Sequence, residues 1–164
     1  MLEPLRQGLP PVDPTAVSGS ASCALPARFE AVRAARSFTR STLSQWGLDC
    51  RFDDVSLVVS ELVTNALRHA LPDDGRPAAA SGEQEAAVRL HLMRWSTRLV
   101  CAVRDPSEAR PGGAFAPERT EENCDMESGR GLFLVDAYSD GWGWHPLAGR
   151  LTGKVVWALF MLQD

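Results

Sequence analysis

Residues 53–70 read DDVSLVVSELVTNALRHA, and the rest of the chain is best read outward from this stretch. Val55, Val58, Val59, Leu62, Val63 and Ala66 recur at helical spacing. Asp53 or Asp54 supplies a cap at the start. Pro72 disfavours helical backbone in the residue before it, so the helix should end near Ala70. Glu61 and Asn65 stand four residues apart and share a face. At about 100° per residue, their sector lies beside the apolar stripe, neither core nor fully solvent-facing. A carboxylate and a carboxamide in that position line pockets well. Together they offer oxygen ligands to a hard cation such as Mg2+. The carboxylate can also orient or deprotonate a hydroxyl nucleophile. Spacing leaves open a plainer alternative, an exposed helical pair with a weak hydrogen bond.

Upstream, residues 1–20 hold four prolines, two glycines and no apolar periodicity, the pattern of a disordered arm. Ala21 to Leu25 reads as a short strand. Pro26 suits a helix start, and Ala27 to Trp46 reads as helix with Gly47 as its cap. Its apolar stripe is expected to hold Phe29, Val32, Ala35, Phe38, Leu43 and Trp46. Downstream, residues 72–86 form a loop of low complexity. Val88, Leu90 and Leu92 then alternate with polar residues, and Leu99 to Val103 is apolar throughout. A turn at WSTR joins these two strands as a hairpin. Residues 106–128 have no apolar pattern, and a loop of that length in a compact domain is a functional lid or disordered. Gly131 to Tyr138 reads as a short helix, and Trp142 to Trp144 and Val155 to Leu162 as closing strands. The expected class is α+β, with helices on one face of a mixed, mostly antiparallel sheet. Residues 21–164 then form one domain behind the 1–20 arm.

The composition narrows the function. The chain has 164 residues, 45% of them hydrophobic, and a net charge of −4. One ordinary globular domain fits that length. A net acidic chain without an aromatic-plus-basic stripe argues against direct nucleic-acid binding. No apolar run approaches a membrane span. The N-terminus lacks signal-peptide features, which points to the cytoplasm. Cys23, Cys50, Cys101 and Cys124 lie too far apart in sequence for a zinc knuckle or a redox pair, and free thiols are expected. His69, His91 and His145 are scattered and indicate no metal site. Trp142, Trp144 and Trp157 read as core or sheet packing.

Three further stretches could carry chemistry. Asp105 ends the strand LVCAVRD, where a carboxylate can accept from an exocyclic amine or simply form a turn before Pro106. Ser128-Gly129-Arg130-Gly131-Leu132 precedes a helix. Its glycines let backbone amides crowd an anion at the helix N-terminus, and Arg130 can pair with an oxygen. A simple N-terminal turn is the alternative there. Residues 149–154 (GRLTGK) are one residue short of a P-loop, have Val155 where Ser or Thr is required, and lead into a strand. Thr152 and Lys154 can still line a pocket, or Lys154 is a solvated charge at a strand end. Residues 105–130 hold seven acids and three arginines. They form a solvated acidic loop or a lid that meets a basic partner.

SELVTNALRHA, VRDPS, ESGRGLFLVDAYSDGWGW and GKVVWALF, in that order, resemble the GHKL (Bergerat-fold) ATPases. Among these the chain looks most like bacterial anti-sigma factors that are also serine-protein kinases, over about residues 25–162. The resemblance implies a Bergerat-type two-layer sandwich that binds ATP and Mg2+. By similarity, Asn65 holds Mg2+ and Glu61 is the catalytic base. Arg68 and His69 continue that motif, with Arg68 near phosphate. Asp105 receives the adenine amine. Gly129, Arg130, Gly131 and Leu132 form the phosphate-side glycine box, and the loop before them is the ATP lid. Thr152 and Lys154 sit near the residue that closes the adenine side. Ser107 stands at the position of a family glycine, which restricts the backbone around adenine and weakens nucleotide binding. The implied partners are an alternative sigma factor, an anti-anti-sigma antagonist and a second copy of the chain. Two rivals stay open: a binding module that acts only by sequestering its partner, and the ATPase component of a multi-protein sensor kinase.

Overall fold

The computed structural model describes residues 17–26, 28–70, 88–107, 127–149 and 152–163, with backbone alone at 69–70 and 127–130. In chain order the elements are β1 (Gly19–Leu25), α1 (Glu30–Gln45), α2 (Phe52–Ala70), β2 (Val88–Arg94), β3 (Arg98–Asp105), α3 (Glu127–Tyr138), β4 (Gly141–Pro146) and β5 (Lys154–Met161). The strands form one sheet in the order β1-β2-β3-β5-β4. Where a mostly antiparallel sheet is expected, all four pairings are antiparallel.

The α2 stripe behaves as its spacing predicts. Val55, Val58, Val59, Leu62, Val63 and Ala66 are all buried. They face Leu90, Leu92, Leu99, Val103, Val156 and Phe160 from the sheet, within one apolar cluster. Each such valine, leucine or phenylalanine contributes roughly 1.5–3 kcal/mol on burial, so this layer dominates the stability of the domain. The helices therefore sit on one face, the α+β two-layer arrangement. Asp53 and Asp54 lie inside the first turn of α2 rather than capping it from outside, where their charge suits the positive end of the helix dipole.

The opposite face of the sheet has its own smaller cluster of Trp95, Val100, Ala102 and Trp157. A side chain at Gly143 would place its Cβ 2.6 Å from the Trp157 ring, so the β4 backbone must stay bare there. At the β2–β3 hairpin the Trp95 N–H donates to the Arg98 carbonyl at 2.8 Å.

Several boundaries differ from expectation. β1 begins at Gly19, inside the segment expected to be an arm, while residues 1–16 lie outside the described residues. α1 begins at Glu30 rather than Ala27, and Phe29 is 86% exposed instead of joining the stripe. The buried positions of α1 are Ala31, Ala35, Thr39, Thr42 and Leu43. Thr39 is accommodated because its hydroxyl donates to the Ala35 carbonyl at 2.8 Å. α3 begins at Glu127, four residues before the expected Gly131. Cys23, Cys50 and Cys101 are free thiols, and Cys124 lies outside the described residues. No described helix is long and apolar enough to cross a membrane.

Candidate functional site

Two groups of expected site residues come together, one on the helical layer and one at the end of the central strands. The first is on α2. Its hydroxyl residues are satisfied along the helix: Ser60 donates to the Ser56 carbonyl and Thr64 to the Ser60 carbonyl, each at 2.7 Å. Asn65 differs. It is 5% exposed, and neither Oδ1 nor Nδ2 has a hydrogen-bond partner among the described residues. Leaving one buried polar group unpaired costs about 1–3 kcal/mol. An orphaned amide of this kind calls for an explanation, and an absent ligand or ion is one of the standard ones.

One turn earlier, Glu61 is half-buried, at the stripe's edge as its helical position requires. Burial pushes its carboxyl above the ordinary carboxylate range, and the Arg68 guanidinium pulls it part of the way back. α3 packs directly on this helix. A Cβ at Gly131 would lie 2.9 Å from Glu61 Oε2. The carboxylate thus occupies the space a side chain at 131 would take. The glycine segment is not a turn ahead of a helix, as expected. Gly129 and Gly131 both lie within α3. Glycine disfavours a helix interior by roughly 1 kcal/mol, yet at 131 it leaves the Glu61 carboxylate its space. The first four amides of α3, from Glu127 to Arg130, have no carbonyl of their own helix to bond, and they carry the positive end of its dipole.

The second group is built by strand register. Asp105 closes β3, Lys154 opens β5, and the two are paired across the ladder. Lys154 Nζ donates to Asp105 Oδ1 at 3.0 Å, with both side chains fully buried. The Ser107 N–H donates to the same oxygen at 2.8 Å, and Lys154 Nζ also reaches the Ser107 carbonyl at 3.5 Å. Asp105 is therefore both a turn former and a fixed buried carboxylate. Lys154 is not the solvated strand-end charge that was the alternative reading. Gly153 makes this corner possible. Its φ is +124°, and a Cβ there would be 2.2 Å from the Asp105 carbonyl oxygen.

α2 packs across β3, so the helical group and the strand-end group border the same layer. Leu132 is buried, Arg68 and Thr152 are exposed, and the side chains of His69 and Arg130 lie outside the described residues. Among the described residues no three His, Cys, Asp or Glu side chains cluster to hold a metal. A cation near Asn65 would take the amide oxygen together with oxygens from a ligand. The chemistry of this donor set fits a nucleotide bound with Mg2+: an amide oxygen for the metal, helix N-terminal amides for anions and a buried carboxylate for a base. The ion pair at Asp105 was not legible in advance, because only the register of β3 against β5 brings the two residues together. A separate groove of about 440 Å3, lined in part by Arg33, Arg36 and Arg40 of α1 and Phe52 at the start of α2, is not signalled by any motif.

The sequence over residues 25–158 matches the family described as histidine kinase-like ATPase domain. Among solved structures, the chain is similar to the RsbU and RsbW domains of a Mycobacterium tuberculosis protein, with a TM-score of 0.59 and 16% identity. That match covers 90% of this chain and 34% of the other, so the chain spans about a third of that protein's length. It is also similar to the SiaB-SiaC complex from Pseudomonas aeruginosa, with a TM-score of 0.56, 15% identity, and coverage of 90% and 91% of the two chains. At these identities the likeness speaks for the fold. No curated protein matches the chain.

Proposed function

From the premise that this chain belongs to the histidine kinase-like ATPase domain family, we propose that it is a cytoplasmic anti-sigma factor and serine-protein kinase using ATP and Mg2+. It would hold an alternative sigma factor away from RNA polymerase and phosphorylate a serine of an anti-anti-sigma antagonist, acting as a homodimer. The observation that carries this reading is Asn65, a buried amide without a hydrogen-bond partner among the described residues, one helical turn from a carboxylate seated on Gly131.

The roles follow from the residues. Asn65 Oδ1 would hold Mg2+, an assignment that gives the orphaned amide oxygen a partner. Asp105 would accept the adenine amine, with Ser107, Thr152 and Lys154 around it. Backbone amides at the start of α3, with Arg130 and Arg68, would face the phosphates. The nucleotide would supply the transferable phosphoryl group, and its metal the charge that neutralises it. Glu61 would take the proton of the incoming serine hydroxyl. A carboxyl whose affinity for protons is raised by burial is better matched to that work than an ordinary one.

Calorimetry with ATP and Mg2+ tests the reading. The chain should bind, Asn65→Ala should lose the Mg2+-dependent part of the affinity, and Glu61→Ala should keep binding while losing transfer. Undetectable binding at millimolar nucleotide would overturn the proposal and leave sequestration of a partner as the function. That alternative draws on one observation, that Asp105 Oδ1 already accepts two hydrogen bonds within the chain.

A further inference from the structure

We propose that Lys154 is a positioning residue that sets base selectivity: it holds Asp105 as an ionised, oriented acceptor, so that the site favours a 6-aminopurine over a 6-oxopurine nucleotide. This rests on the nucleotide-binding reading above.

Three observations carry it. First, the ammonium is turned inward. Lys154 is fully buried and donates to Asp105 Oδ1 and the Ser107 carbonyl, so it faces protein and acts through the carboxylate. Lys154 is also the only lysine in a chain with 17 basic residues. Second, Asp105 is held in one rotation. Oδ1 takes both the Lys154 ammonium and the Ser107 N–H. An ionised carboxylate only accepts, through about four lone-pair sites on its two oxygens. Third, the backbone behind the pair is closely packed. Gly153 lies against the Asp105 carbonyl, where no other residue fits without moving the backbone.

The chemistry decides the direction. A buried carboxyl without a counter-ion favours its neutral, protonated form. Protonated, it can donate as well as accept, and it no longer distinguishes an amino group from a carbonyl. Ionised, it only accepts. It then binds an amino group and repels a carbonyl oxygen. The Lys154 charge is what keeps Asp105 in the second state.

The experiment compares ATP with inosine triphosphate, which carries a carbonyl in place of the 6-amino group and has the same triphosphate. Each is titrated with Mg2+ by calorimetry, and circular dichroism checks the fold. The chain should favour ATP by about tenfold, the order expected of one hydrogen bond to a charged acceptor. In Lys154→Met the ratio should fall to within about twofold of parity. In Lys154→Ala, propylammonium should restore the preference and propanol should not. If Lys154→Ala folds only with an amine present, the ratio is read with propylammonium against the shorter ethylammonium, and an equal preference with both overturns the proposal. An unchanged ratio in Lys154→Met overturns the proposal. So does an equal loss of affinity for both nucleotides in a folded variant, which marks a merely structural role. Binding of both nucleotides without preference by the wild type overturns this inference alone, whereas no binding of either by the wild type overturns the nucleotide reading with it.

Discussion

Replacing Gly131 with alanine should separate stability from chemistry. Gly131 lies inside α3, where alanine is favoured by about 1 kcal/mol. The new Cβ would sit 2.9 Å from Glu61 Oε2, a few tenths of an ångström too close. The atom it meets is the end of a flexible side chain, and Glu61 is only half-buried. Pushing that carboxylate off its rotamer costs about 0.5–1.5 kcal/mol. The two terms nearly cancel, so Gly131→Ala should unfold in urea within about 1 kcal/mol of the wild type. The catalytic effect does not cancel. A misplacement of about 1 Å in a reacting group costs on the order of 100-fold in rate. Phosphoryl transfer from ATP to the antagonist's serine should therefore fall by 10- to 100-fold while nucleotide affinity changes little. A loss of more than about 2 kcal/mol in stability would show that the glycine serves backbone packing instead. Unaltered turnover would show that Glu61 does not act from where it sits.

Two other perturbations complete the set. Gly153→Ala combines a φ of +124° with a Cβ 2.2 Å from the Asp105 backbone oxygen; it should cost about 3 kcal/mol, since the strain alone is of order 1–3 kcal/mol, and a thermal melt lowered by less than about 3 °C would contradict the geometry. Because burial raises the Glu61 carboxyl above its ordinary 4.5, the folded chain holds that proton more tightly than the unfolded one, so this group's contribution to stability falls as pH rises through the window just above 4.5. Urea midpoints of wild type against Glu61→Gln should thus converge toward the acid side and separate, with wild type lower, toward neutrality; a difference that does not vary with pH would refute the assignment.

Local patterns foretold the layer that matters most. The α2 stripe and the alternation in β2 are periodicities of one element, and each needs only its own residues to be read. Glu61 could be placed at the edge of the buried face for the same reason. What escaped was non-local. The burial of Lys154 depends on which residue of β3 lies opposite it, information spread over 49 positions of sequence. Two glycines weaken helix propensity, so the start of α3 at Glu127 is not legible from local sequence. Apolar character alone places Phe29 in the α1 stripe, yet α1 starts one residue later and buries the small side chains of Ala31 and Ala35.

The cross-strand partnership of Asp105 with Lys154 also guards the fold during assembly. Neighbouring strands can slide past one another, and a shift by a single position reverses which side of the sheet each residue occupies. In β3 and β5, whose apolar residues are plentiful on both sides, hydrophobicity alone discriminates weakly against such mistakes. A slipped alignment would strand one charge inside without its opposite, at a penalty of several kcal/mol. Two ionised side chains at the end of a greasy ladder thus act as a proofreading mark, admitting the one alignment in which both find each other.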